Sequence, residues 1–537
     1  MSLITQTSSF LCPAVPINNN NLSSAAFLHK TRQVSVPIPV KFCYDKTKFS
    51  MFSNEKSRYS RTTSIRKLSV LYNGYPYFPS LHHPLESELP EASDDGDDGG
   101  IGILEFFQGK NIFITGATGL LGKALIEKLL RSTSVGKIYL LIKAEDKDAA
   151  LDRLNKEIVD SELFKCVREK HGNIYYQELV KEKLIPVVGN ICEPNLGMDF
   201  NSCRAIMKDV DIIIESAAST TLNERYDLLL DLNVNAPQRL MRFAKRCKNL
   251  KLFVHISTAY VNGRKEGLIL EKPLIMGENG RKEMNNDDED EDEMSSFPGV
   301  DLADEISLAM KSTSQLSSHH HQDYDVTKNL KRLGQQRMFD PVIISYGKGQ
   351  LPAYLADPQL HMDIIPVDMV VNSTIAAIAK HGTNSYKPEL NVYHVASGVV
   401  NPLRFCDFFD ILHEYFNSTP LFNIKNNISK IKCFSNMNDL SKYTRDAILS
   451  NNEMGDAMDE KMVRKVQSKA KAKVAYAEQL CKMFDTSNTQ KLLKEMSKEE
   501  RLNFEVDATK IDWRNYFLEI HIPGLRRYVL NDTKISV

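Results

Sequence analysis

The feature that most constrains this chain is the octapeptide TGATGLLG at 115–122. It follows an apolar run ending at Ile114 and opens a helical pattern in which Leu121, Ala124 and Leu125 recur at i, i+3, i+4. Gly116 can take the backbone angles of a tight turn, and Gly119 leaves the main chain free of a Cβ where a diphosphate would approach. Gly122 allows the helix to pack closely against the strand. A helix N-terminus so placed presents N–H groups and a partial positive charge to phosphate. Thr115, Gly116, Gly119, Leu120, Leu121 and Gly122 are therefore the candidate residues of a dinucleotide-binding turn.

Around that turn, strand-like apolar runs alternate with helical patterns. The strand-like runs are Asn111 to Ile114, Ile138 to Ile142, Leu184 to Val188, Val210 to Ile214 and Leu252 to Ile256. The helical ones are Leu120 to Arg131, a stretch after Asp146, and one near Leu232 to Cys247. Such alternation predicts an α/β fold with a doubly wound parallel Rossmann sheet. The Gly-x-x-Gly-x-x-Gly spacing is similar to that of the extended short-chain dehydrogenases/reductases. Lys143 ends the second strand where an acidic residue would grip a ribose hydroxyl, and its cation favours the 2′-phosphate of NADPH. Asn190 and Ile191 follow the third strand, where this group places its adenine contacts. Ala217 in ESAAS and Asn233 in LNVNA match further cofactor-lining positions of the group.

Composition bounds the rest. A formal net charge of −1 over 537 residues gives no global field for nucleic acid. The nine cysteines form no Cys-x-x-Cys pair, so neither zinc nor a disulfide framework is indicated, and no metal is expected. No apolar run approaches the roughly 18–20 residues of a transmembrane helix. Residues 1–70 carry ten Lys/Arg against only Asp45 and Glu55, with many hydroxyl side chains, the composition of an organelle transit peptide. Residues 71–102, with Pro76, Pro79, Pro84 and an acidic, glycine-rich end, are expected to be a disordered linker. The reductase domain is expected over 103–400 and a smaller, mainly helical C-terminal domain over 401–537. The acidic run Asn285 to Glu293 reads as a solvated loop, and His319 to His321 have no cysteine nearby to make a metal site. The basic stretch 460–480 has a partial apolar face that could meet a carrier protein or a membrane surface, or simply solvent within a helical bundle.

FITGATGLLGKALIEKLLR, NERYD, FAKRCKNLKLFVHISTAYVNG, GKGQL, VDMVVNSTIAAIAKHG, MSKEERLNF and DWRNYFLEIHIPGL lie between Phe113 and Leu525, within a likeness that covers roughly residues 103–530. Together they resemble the plant fatty acyl-CoA or acyl-carrier-protein reductases, most of all the plastidial, male-sterility type. That resemblance implies reduction of a long-chain acyl thioester, through a bound aldehyde, to a primary fatty alcohol with NADPH as hydride donor, in a chloroplast. In this group a strand-end hydroxyl orients the carbonyl, and a Tyr with a Lys four residues later supplies the proton. Thr258 in HISTAYVNG matches the hydroxyl position, and Tyr324 and Lys328 in YDVTK have the spacing of the pair.

The match changes character after YDVTK. Here TKNLKRLGQQR runs directly into MFDPVIISYGKGQ, where family members carry a further helix, strand and loop. Two pictures compete. In one, Tyr324 to Arg337 is a shortened helix and PVIIS (341–345) is the sixth strand, the twelve residues between Lys328 and Pro341 covering about 15–18 Å. In the other, an internal segment is missing, the sheet lacks a strand and YDVTK is a coincidence. The second leaves a rival function: a dinucleotide-binding protein without its proton donor.

Overall fold

A computed structural model describes residues 68–70, 99–219, 225–262, 267–273, 339–383, 390–421, 428–436, 438–440, 442–443 and 483–532. Its centre is a parallel sheet of β1 (Leu68–Val70), β2 (Ile112–Ile114), β3 (Ile138–Ile142), β4 (Leu184–Val188), β5 (Ile212–Glu215), β6 (Leu252–His255) and the strand Asn391–Val392. The spatial order is Asn391–Val392, β1, β6, β5, β2, β3, β4, and every pairing is parallel. The chain therefore winds outward in one direction through β3 and β4 and in the other through β5 and β6. The strands β2 and β5 flank the point where the winding reverses, the place where open α/β sheets form their ligand crevice.

Parallel strands covered by helices on both faces need apolar residues at consecutive positions, and β2, β3 and β5 are buried along their whole length. Alternate side chains serve different layers. Ile112, Ile114, Ile212, Ile214, Leu252 and Val254 pack with helix α1 (Leu120–Ser132) and helix α2 (Val367–Thr383). Phe113, Ile213 and Phe253 pack on the other face, with Leu240 and Phe243. Leu125 of α1 is fully buried, which stabilises the layer by roughly 1.5–3 kcal/mol relative to exposure.

The fold class expected from the sequence is thus the observed one, with three differences in detail. PVIIS is not the sixth strand: Asp340–Gly347 is a helix. Pro341 stands in its first turn, where no amide hydrogen is missed, and Val342, Ile343 and Ile344 are buried against Phe405, Phe408 and Phe416. The place beside β6 is instead taken by β1, whose backbone pairs with Phe253 and Val254 on one side and with Asn391 and Val392 on the other. Leu68–Val70, assigned from composition to the end of the leader, is thus a strand of the sheet.

Side-chain packing also does not divide at residue 401. A second core joins Val342 to Met362 with Phe405 to Phe416 and with Trp513, Phe517, Ile522 and Leu525. Trp513, whose indole N–H donates to the Asn401 carbonyl (3.0 Å), and Tyr516 anchor it. Helix α3 (Ser487–Glu495), by contrast, packs against the reductase core through Leu492, as do Phe504 and Val506. Glu500 ties that segment to the start of the domain by accepting from the Ile101 and Ile103 amides (2.9 and 2.8 Å). Tyr324, Lys328, the acidic run, the His triplet and the basic stretch 460–480 lie outside the described residues.

Candidate functional site

At the carboxyl end of β2 the chain reverses through the glycine turn into α1. Gly116 has φ 72°, a left-handed conformation, and a Cβ there would lie 2.5 Å from the Ser216 carbonyl oxygen and 2.9 Å from the Ala217 amide nitrogen. Only glycine lets the turn lie against the segment leaving β5. The turn is closed by the Gly119 amide donating to the Gly116 carbonyl (3.0 Å). A Cβ at Gly122 would sit 2.3 Å from the same carbonyl and 2.8 Å from Ala117 Cα. Gly122 is therefore required by the turn beneath it, not by the strand that the sequence reading had named. Gly119 is the N-cap of α1 and offers no side-chain acceptor, so no side chain caps the first-turn amides. These residues fit a dinucleotide diphosphate: an uncapped helix start, at the switch point, on a turn stripped of Cβ atoms.

The neighbouring candidates divide into liners and holders. Thr115 is fully buried, and its Oγ accepts from the Ser216 amide (3.2 Å), binding the ends of β2 and β5 together. Leu121 is core, and Leu120 is 38 % exposed on the first turn. Asn233 spends its amide on both backbone groups of Ser219, accepting from the N–H (2.8 Å) and donating to the carbonyl (3.0 Å). It shapes the ESAAS segment that bears half-buried Ala217. Asn190 accepts from the Cys192 amide (3.2 Å) and donates to Glu193 (2.8 Å), ordering the turn after β4, while Ile191 is buried beneath it. Lys143 is exposed at the end of β3. Burial, followed by the nearby Asp231 charge, pushes the Cys192 thiol up, so it is no thiolate nucleophile.

Thr258 is half-buried three residues beyond β6, at the same carboxyl edge. Behind it, Ala259 packs with Ile269, Ala396 and Phe484. Beside this cluster Glu271 accepts from the His394 amide (2.6 Å) and the Asn488 amide, and burial pushes its carboxyl up to about 7. His394 is fully buried, which drives its imidazole down to about 3.

One pair escaped the sequence reading. Glu215 and His255 are register partners at the ends of β5 and β6, and Glu215 Oε2 meets His255 Nδ1. The signal was present: each is the single ionisable residue of an otherwise apolar strand. Ser216 and Ser219, the backbone partners of Thr115 and Asn233, carried no such mark. Among the described residues no group of His, Cys, Asp and Glu could hold a metal ion, and no helix is long and apolar enough to cross a membrane.

Comparison with known proteins finds relatives over most of the chain. Two family models, both described as male sterility protein, match residues 114–331 and 454–532. Fatty acyl-CoA reductase 2, chloroplastic, of Arabidopsis thaliana is 40% identical over 502 residues, covering 82% of this chain and 81% of that protein. The alcohol-forming fatty acyl-CoA reductase of Simmondsia chinensis is 33% identical over 492 residues, covering 80% of this chain and 99% of the relative, so this chain is the shorter across the match. Among solved structures, the reductase domain of a Mycobacterium tuberculosis non-ribosomal peptide synthetase covers 78% of this chain and 93% of its own, at 18% identity and TM-score 0.46. A nucleotide-binding reductase domain, a male-sterility C-terminal region and relatives matched over four fifths of the chain establish that this protein belongs to the fatty acyl-CoA reductase family.

Proposed function

We propose that this protein reduces long-chain fatty acyl thioesters to primary alcohols with NADPH, in the plastid. The observation that carries the reading is the Gly116–Gly122 turn, pressed against the Ser216 backbone at the switch point of a parallel sheet. The plastid assignment rests on the basic, acid-poor first 70 residues and on a 40% identical relative named chloroplastic. The choice of NADPH over NADH rests on Lys143, an exposed cation at the end of β3.

The bound dinucleotide would supply hydride twice, first to the thioester carbonyl and then to the aldehyde. Thr258 stands at the carboxyl edge and is proposed to donate a hydrogen bond to the carbonyl oxygen, stabilising the charge that grows there. The proton that each reduced oxygen takes up is assigned to Tyr324, with Lys328, four residues later, as the cation that favours its release. In the first cycle the C–S bond of the resulting hemithioacetal breaks, its hydroxyl proton passes to the departing sulfur, the thiol leaves and the aldehyde stays bound for the second.

The test is direct. Purified full-length protein is mixed with NADPH and hexadecanoyl-CoA, and the lipid fraction is analysed for hexadecanol. Hexadecanol formation that disappears in Tyr324→Phe supports the assignment. NADPH binding without any alcohol would leave the rival, a dinucleotide-binding protein that has lost its proton donor. A fluorescent fusion of residues 1–70 that stays outside plastids would refute the location.

A further inference from the structure

A cavity of about 510 Å³ is lined by residues that neighbour, along the chain, the small cluster of Ala259, Ile269, Ala396 and Phe484. Its walls are Leu268 of β7 (Leu268–Ile269), Val399, Asp485 to Ser487, and Gln490, Lys491 and Lys494 of α3. The cavity is tied to the proposed reaction centre through two neighbours. Ile269, next to Leu268, and Phe484, next to Asp485, pack directly on Ala259, next to Thr258. The segments that follow β6 and the Asn391–Val392 strand border it, and both strands run parallel, so it lies at the same carboxyl edge as the glycine turn.

Its chemistry is two-sided. Lys491 and Lys494 stand three apart on α3, hence on one face, and both are exposed. Neither meets a carboxylate among the described residues, whereas Lys380 nearby is held by Glu495 (2.7 Å). The single carboxylate in the wall, Asp485, accepts from the Ser487 amide (2.9 Å) and hydroxyl. The same lining holds two exposed apolar side chains, Leu268 at 49 % and Val399 at 45 %. Two cations without a carboxylate partner among the described residues, in one cavity with these apolar side chains, suit a ligand that carries phosphate at one end and a flexible, partly aliphatic arm along its length.

We propose that this cavity receives the phosphate-bearing pantetheine arm of the acyl thioester, with Lys491 and Lys494 facing its anionic end and Leu268 and Val399 against its aliphatic part. The assignment rests on the acyl-thioester reading above and adds where the carrier docks. Coenzyme A and acyl carrier protein share this phosphopantetheine chemistry.

The test is the double variant Lys491→Glu/Lys494→Glu, with Lys491→Arg/Lys494→Arg as the conservative control. Michaelis parameters are measured on hexadecanoyl-CoA, on hexadecanoyl carrier protein, and on hexadecanal, which has no carrier. In parallel the Kd of free coenzyme A is measured by calorimetry, which reads the site whether or not alcohol forms. The expected result is a KM for thioester, and a Kd for coenzyme A, raised by about tenfold or more in the charge-reversed variant. The kcat and the hexadecanal KM stay unchanged, and the Arg variant behaves as wild type. A rise with both thioesters marks the shared arm. A rise with coenzyme A substrates alone narrows the site to the coenzyme's own phosphates. Thioester KM and coenzyme A affinity that both stay within about twofold of wild type overturn the proposal, as does an equal loss on hexadecanal.

Discussion

Replacing Gly116 with alanine separates two costs that the structure assigns to different glycines. Gly116 and Gly172 both have a positive φ, 72° and 74°, Gly172 with ψ 154°. They differ in surroundings: nothing lies within 4 Å of a Cβ built on Gly172, whereas one on Gly116 would overlap the Ser216 carbonyl at 2.5 Å. Gly172→Ala therefore meets only the backbone penalty of a positive-φ region that glycine alone visits freely, about 1–3 kcal/mol of stability. Gly116→Ala meets that penalty and must also push the turn away from the segment after β5. Because that segment and the turn form the two lips of the crevice, the displacement is felt in dinucleotide binding. Taking about 2 kcal/mol for the mismatch, NADPH affinity falls about 30-fold. Fluorescence titration with NADPH and thermal melts of both variants read the two effects independently. The expected pattern is a modest Tm loss with intact binding for Gly172→Ala, and a larger loss with weak binding for Gly116→Ala. If Gly116→Ala binds NADPH within about threefold of wild type, the backbone of this turn does not face the diphosphate.

Further outcomes follow from other contacts. Asn233→Ala removes both hydrogen bonds to Ser219, and with about 1 kcal/mol lost in holding that segment, NADPH affinity drops about fivefold while the far-UV spectrum stays unchanged. Arg526→Met leaves Asp532 buried beside it without its 2.7 Å partner, costing about 3–5 kcal/mol in denaturant melts, whereas Arg526→Met/Asp532→Leu costs clearly less. Glu271 has its folded pKa raised to about 7, so it contributes stability below its unfolded value that is lost as pH rises through about 7. His394, lowered to about 3, contributes in the opposite sense, adding stability above pH 6.5 that is lost on acidification. Glu271→Gln should therefore gain on wild type in Tm as pH climbs from 5 to 8; a difference that is flat with pH would refute the burial argument.

How much of this was legible beforehand depended on the range over which each residue acts. TGATGLLG is a local device: its positive-φ glycine, the closing Gly119–Gly116 hydrogen bond and the uncapped helix all lie within eight residues, so the strand–turn–helix is legible in their order. The runs IFI, IYLLI and IIIE declared a sheet buried on both faces for the same reason, since burial along a parallel strand leaves its trace in consecutive residues. The roles of Thr115 and Asn233 as holders of Ser216 and Ser219, across 101 and 14 positions of chain, had no local trace.

PVIIS shows the limit most sharply. Five residues of strand-like composition are a helix because Pro341 suits a helical first turn and because the phenylalanines of Phe405–Ser418 offer the isoleucines a surface to cover. Intrinsic preference at such a length is worth less than the packing it meets. The sequence by itself determined the switch-point crevice and the family's chemistry, because turn, strand and helix there agree residue by residue. Which segment stands beside β6, and which side chains wall the cavity near the Ala259 cluster, only the tertiary structure decided, because those neighbours are brought together from Leu68 to Lys494 by strand pairing and the packing of distant segments and not by spacing along the chain.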